Sequence, residues 1–158
     1  MIRIIGAGHT IKLPTSRAEI AALIPHQGNM CLLECVESCD ENGIICTTTT
    51  HRLSDHPLLR DDSLAAIHLC EYGAQAMAVH GGLMAQAEGK IAKPGLLIAL
   101  RDVKLSTATV DPSIEILRVV AERISANDTA WQYEFSVSAP GVPLASGRAM
   151  VMTKDASL

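Results

Sequence analysis

Between Ser63 and His80 the chain reads as a helix carrying apolar side chains on every side, and such a helix has to be buried. At 100° per residue, Leu64, Ile67 and Ala78 fall near one face and Ala66, Leu69 and Met77 near another. The small residues Ala65, Ala66, Gly73, Ala74 and Ala76 allow another layer to approach closely. Asp61, Asp62 and Ser63 are candidate N-caps. Gly81-Gly82 weaken the far end, with a broken extension to Gly89 as the alternative. One buried helix needs a second layer of structure to bury it.

The rest of the chain supplies strands. Residues Cys31 to Thr50 read as a hairpin turning at Asp40-Glu41-Asn42-Gly43, where Asn-Gly readily takes positive φ. Leu96 to Leu105 and Ile114 to Ile124 are apolar runs joined by a turn at Asp111-Pro112. Trp131, Tyr133, Phe135 and Val137 alternate with polar residues, and Leu144 to Met152 follows, with Gly147 marking a bend. Ahead of these, Ser16-Arg17-Ala18-Glu19 is a capping box for a short helix that stops near Pro25. The economical solution is an α+β hotdog fold: a curved antiparallel sheet of about six strands wrapped around one long central helix. Without repeat, linker or low-complexity tract, residues 1–158 read as a single domain.

Composition narrows the function. Lys and Arg number 13 against 17 Asp and Glu, a net charge of −4, and no basic cluster or aromatic platform suits nucleic acid. Five cysteines, Cys31, Cys35, Cys39, Cys46 and Cys70, form no C-x-x-C pair; they read as small core residues in a reducing compartment, not as a metal site. Cys31, Cys35 and Cys39 share one parity and on a strand would line one face. Ile4-Ile5-Gly6-Ala7-Gly8 lacks the third glycine of a dinucleotide loop, because position 11 is Ile11. Met1 to Ile5 is too short for a signal peptide, and no apolar run could span a membrane. The expectation is a cytoplasmic protein with no membrane insertion and no cofactor.

Three polar groups interrupt the apolar helix: His68, Glu71 and Gln75. Relative to Glu71, Gln75 lies about 40° and His68 about 60° away, on the same side. A carboxylate in this setting is either satisfied structurally, by Gln75 or a backbone group, or kept for chemistry, and the pattern alone does not decide. His56 sits in the loop leading to the helix, where free backbone N–H groups gather. Together, a histidine, a carboxylate and an anion-binding helix end can abstract a proton next to a carbonyl.

Ile24-Pro25-His26-Gln27-Gly28-Asn29-Met30-Cys31-Leu32-Leu33-Glu34 resembles the opening segment of the small β-hydroxyacyl-acyl-carrier-protein dehydratases of fatty acid synthesis. Glu71-Tyr72-Gly73-Ala74-Gln75-Ala76-Met77-Ala78 resembles their central-helix motif. Ile98 to Lys104 with Asp111-Pro112 resembles the strand and turn that follow. The likeness runs in order from Ile24 to Met152. It is closer still to the dehydratases of aryl-polyene biosynthesis clusters, through His56-Pro57-Leu58 and the stretch from Glu71 to His80. The loop at Asp55 to Asp62 departs from the fatty acid enzymes: it is reduced, sets His56 one residue further from Glu71, and opens the helix with acidic residues.

The resemblance implies dehydration of a 3-hydroxyacyl thioester on acyl carrier protein to the 2,3-enoyl thioester, in fatty acid or polyene biosynthesis. His56 takes the role of base and Glu71 of acid, while Gln75 orients Glu71, and His68 and His26 line or shape the pocket. It also implies an apolar slot shared between two chains, with a homodimer or a heterodimer with another dehydratase as the assembly. Arg60, Lys90, Lys93, Arg101 and Lys104 are the basic groups available to an acidic carrier protein. Two rivals stand beside this: a hotdog acyl-thioesterase, and a non-catalytic partner subunit of an active dehydratase.

Overall fold

The computed structural model describes residues 2–5 and 9–154, with side chains from residue 10 onward. A short pair of antiparallel strands, β1 (Ile2–Ile5) and β2 (His9–Lys12), precedes a one-turn helix, α1 (Arg17–Ala21). Then come β3 (Cys35–Cys39), β4 (Gly43–Thr48), the long helix α2 (Leu69–Ala87), and four strands: β5 (Gly95–Leu105), β6 (Leu117–Ala126), β7 (Ala130–Ala139) and β8 (Val142–Thr153). The main sheet is antiparallel in the order β3-β4-β6-β7-β8-β5, and α2 packs against β4, β6, β7 and β8. This is the hotdog arrangement. The β1–β2 pair was not among the expected strands, and Gly6 to Gly8, the rejected dinucleotide loop, lie outside the described residues.

The helix is buried as its composition demands, but it starts later than the capping residues suggested. Asp61 and Asp62 have positive φ, 49° and 56°, and Arg60 and Ser63 exchange backbone hydrogen bonds of 3.0 and 2.9 Å around them. They form a two-residue hairpin turn, a conformation Asp tolerates, and not a helix cap. A 3-10 turn at Ala66–His68 leads into α2. Gly81-Gly82 do not end the helix: the propensity cost of about 1 kcal/mol each is outweighed by burial, which includes Gly82 itself.

Two other expectations changed. At the β3–β4 turn neither Asn42 nor Gly43 takes positive φ; Asp40 Oδ1 instead accepts the N–H groups of Asn42 and Gly43 at 2.8 and 3.0 Å. Gly43 is needed for another reason, since a Cβ there would lie 2.5 Å from the Ala121 carbonyl oxygen of β6. In β3 a bulge between Val36 and Ser38 reverses the alternation, so Val36 and Cys39 both point inward while Cys35 is half-buried. The five cysteines are free thiols.

Phe135, the one phenylalanine, fills the space between helix and sheet. A Cβ on Gly73 of α2 would lie 2.6 Å from its ring, and one on Gly147 of β8 would lie 2.9 Å from it. Gly147, where a bend was expected, lies opposite a bulge of β5 between Arg101 and Lys104, with Asp102 at φ 53°. Gly73→Val should therefore lower stability by about 2 kcal/mol through overpacking, despite valine's better helix propensity. Equilibrium denaturation checks this: an unchanged midpoint would mean that the ring yields freely.

The edge strand β5 pairs with β8 on one side only. Leu96, Leu97, Ile98 and Leu100 on it are exposed in the single chain. No helix among the described residues is long and apolar enough to cross a membrane.

Candidate active site

His56 lies in a chain of tight turns between the 3-10 turn Thr50–Arg52 and the Arg60–Ser63 hairpin. Its N–H donates to the Leu53 carbonyl at 3.2 Å, and its own carbonyl accepts from Leu59 N–H at 3.1 Å. These turns press the imidazole inward until only 5% of the residue is exposed. Nε2 lies 2.9 Å from the Tyr72 hydroxyl, and Nδ1 accepts the Leu58 N–H at 3.1 Å. Burial pushes the imidazole below its ordinary pKa, and the neighbouring His68, His51 and Arg17 add to this while Asp55 opposes it. His56 is thus held neutral near pH 7.

Glu71 stands one position before Tyr72 on α2 and points elsewhere. Its Oε1 accepts from Gln75 Nε2 at 3.1 Å and lies 3.1 Å from His26 Nε2. The carboxylate side chain is 32% exposed in the single chain, so the desolvation expected from an apolar helix is incomplete. Gln75 is fully buried: its Oε1 accepts Leu32 N–H at 2.8 Å and its Nε2 also donates to the Met30 carbonyl at 2.7 Å. His26, expected as a pocket or structural residue, stands in contact with Glu71. His68, half-buried beside the start of α2, makes its influence felt on His56 through charge.

Among the described residues no hydrogen bond or ion pair joins His56 to Glu71 within the chain. The two halves meet indirectly at Leu32. Its N–H is held by Gln75, while its carbonyl accepts from Thr48 Oγ1 at 2.6 Å and Thr50 Oγ1 at 2.7 Å. Thr50 Oγ1 is in turn 3.2 Å from the Tyr72 hydroxyl. Tyr72, Thr50 and Thr48 were missed in the sequence. The available signal was a tyrosine in an all-apolar helix, whose buried hydroxyl must find a partner.

The helix start is less open than expected. Ala66 N–H donates to Ala108, His68 N–H to Ala65 and Leu69 N–H to Ala66. The backbone donor bonded to the imidazole is that of Leu58. No group of three or more His, Cys, Asp or Glu that could hold a metal ion occurs among the described residues.

A third buried histidine, His80, is structural: Nε2 donates to the Asp40 carbonyl at 2.7 Å, and Nδ1 accepts from Tyr133, 2.8 Å away. Burial lowers the pKa of His51, His56 and His80 alike. In the unfolded chain each titrates near its ordinary value of about 6.5. Below that pH the unfolded state binds protons the folded state refuses, so their contribution is complete above it and declines as pH falls. The denaturation midpoint should drop between pH 7.5 and 5.5, before carboxylates titrate. A flat midpoint over that interval would contradict this.

A family model described as ApeP dehydratase, for the ApeP-like family, matches residues 18–157. No curated protein matches the sequence. Among solved structures, the dehydratase heterocomplex ApeI:P from Xenorhabdus doucetiae superposes with a TM-score of 0.79 at 23% identity, covering 87% of this chain and 92% of that one. Zebra fish thioesterase superfamily member 2 matches at a TM-score of 0.61 and 12% identity, over 87% and 95% of the two chains. A hypothetical thioesterase from Streptococcus pneumoniae TIGR4, solved with coenzyme A, matches at 0.53 and 12%, over 75% and 84%. At these identities the structures share the hotdog fold.

Proposed function

The chain belongs to the ApeP-like dehydratase family, and from that membership we propose that it removes water from a 3-hydroxyacyl thioester on acyl carrier protein, giving the 2,3-enoyl thioester in fatty acid or aryl polyene synthesis. One observation carries the assignment of residues. Gln75 orients Glu71 on α2, and the next residue, Tyr72, bonds the neutral imidazole of His56. His56 takes the C2 proton, and Glu71 protonates the departing C3 hydroxyl. Leu58 N–H is the backbone donor within reach of a thioester oxygen drawn up to the imidazole.

Among the described residues, no hydrogen bond or ion pair joins His56 to Glu71 within the chain, which supports a site completed by a second hotdog chain. The exposed apolar edge of β5 is the surface for it. A second copy gives the homodimer; the structure described as an ApeI:P dehydratase heterocomplex supports a sister dehydratase as the alternative partner. A chain covering the open side of Glu71 would exclude water from the proposed acid. Arg60, Lys90, Lys93, Arg101 and Lys104 remain the candidate carrier-protein rim, and the free thiols of the chain's cysteines fit a cytoplasmic setting.

The second reading, a non-catalytic partner subunit, is favoured by the burial of His56 and the engagement of both its ring nitrogens. The experiment is to incubate the chain, alone and with a co-purified partner, with 3-hydroxyacyl carrier protein. Enoyl thioester from an assembly that needs this chain's His56 supports the dehydratase site. Enoyl product indifferent to His56→Ala identifies a non-catalytic subunit, and free thiol identifies a thioesterase.

A further inference from the structure

We propose that Tyr72 and Thr50 are positioning residues for the base: their hydroxyls hold the His56 imidazole in its Nε2–H tautomer and so make Nδ1 the atom that takes the C2 proton. The inference rests on the dehydratase reading above. A backbone N–H can only donate, so the Leu58 contact requires a lone pair on Nδ1. The neutral ring therefore carries its proton on Nε2 and donates it to the Tyr72 oxygen. Tyr72 then donates to Thr50, and Thr50 to the Leu32 carbonyl. The opposite direction would place an Nδ1–H against Leu58 N–H. The relay has one direction only, and Tyr72, Thr50 and His56 are all buried.

That direction suits a base. Each hydroxyl presents its oxygen toward the imidazole, so the imidazolium formed at the transition state meets a line of favourable dipoles. Unlike a carboxylate partner, the hydroxyls add no net charge that would raise the resting pKa and leave the ring protonated. In the step, the substrate displaces Leu58 N–H from Nδ1, and that N–H turns to the thioester oxygen. The C2–H bond breaks as its proton passes to Nδ1, and its electron pair forms the C2=C3 bond. The C3–O bond breaks, and the hydroxyl leaves as water with the proton of Glu71. His56 then gives up a proton to solvent and Glu71 regains one, so the net change is loss of one water. The charged and titratable neighbours of His56, namely His68, His51, Arg17 and Asp55, remain constant in the variants below.

The test uses Tyr72→Phe, Thr50→Val and Thr50→Ser in the full chain, within whichever assembly is active. Ring-nitrogen NMR of His56, assigned against His56→Ala, should show the Nε2–H tautomer in the wild type. In Tyr72→Phe, kcat should fall about tenfold or more with KM nearly unchanged. The acid limb of the kcat/KM profile should move to lower pH, because the imidazolium loses its acceptor. Thr50→Val should act in the same direction, carrying the test if Tyr72→Phe folds poorly, and Thr50→Ser should restore the wild-type profile. A proton on Nδ1 in the resting enzyme, or unaltered kcat and acid limb in both hydroxyl-deleted variants, overturns the inference. A wild-type assembly that forms no enoyl product would sink the dehydratase reading instead, and the tautomer is read regardless of activity.

Discussion

His56→Ala and Glu71→Gln should each reduce turnover by about 100-fold or more, the range expected when a positioned acid or base is removed, while the fold should persist by circular dichroism. His26→Ala should be much milder, because His26 touches Glu71 from a partly exposed position and has no proposed role as acid or base. The two inactive chains also complement each other if the site is shared. With random exchange about half the dimers are mixed, and each mixed dimer has one site with both groups intact, so about a quarter of wild-type activity returns. Verified exchange with no recovered activity would place both groups of a site in one chain and overturn the shared-site proposal.

Gln75→Leu has the largest expected effect on stability. The substitution keeps the volume and packing but strips partners from the buried Leu32 N–H and the Met30 carbonyl, and removes one donor from Glu71. Unsatisfied buried backbone groups cost about 1–3 kcal/mol each, so a loss of about 3 kcal/mol is expected by denaturant titration. Turnover should fall about 100-fold as well, since a misplaced carboxylate no longer meets the substrate. A stable and active Gln75→Leu would show that the segment from Met30 to Leu32 holds itself in place.

The fold was legible because its layers carry different periods. All-round apolarity marked α2, alternation from Trp131 to Val137 marked β7, and the capping pattern marked α1, where Ser16 Oγ accepts Glu19 N–H at 3.3 Å. What escaped was local geometry that depends on distant partners. Asp61 and Asp62 have the composition of a helix cap and the backbone of a hairpin turn. Gly147 was read as a bend, and the pattern did not reveal that it also leaves space for the Phe135 ring.

The site shows the same division. Glu71, Gln75 and His56 stood out because each is a polar group in a setting that makes it expensive or poised. Tyr72 did not, since an aromatic in a buried helix reads as core, and its partners His56 and Thr50 lie 16 and 22 residues away in sequence. Nothing in a periodic pattern reports which loop folds back onto which hydroxyl. The part-exposed side of Glu71 was likewise invisible, because apolar neighbours along a helix do not reveal how far a carboxylate stays open to solvent.

Hydration of the 2,3-enoyl thioester in deuterium oxide runs the same step backward and tests the central claim most directly. The active assembly should deliver deuterium to C2 through His56, and His56→Ala should lose that label at C2 along with hydration. Deuterium entering C2 at the wild-type rate without His56 would contradict the account.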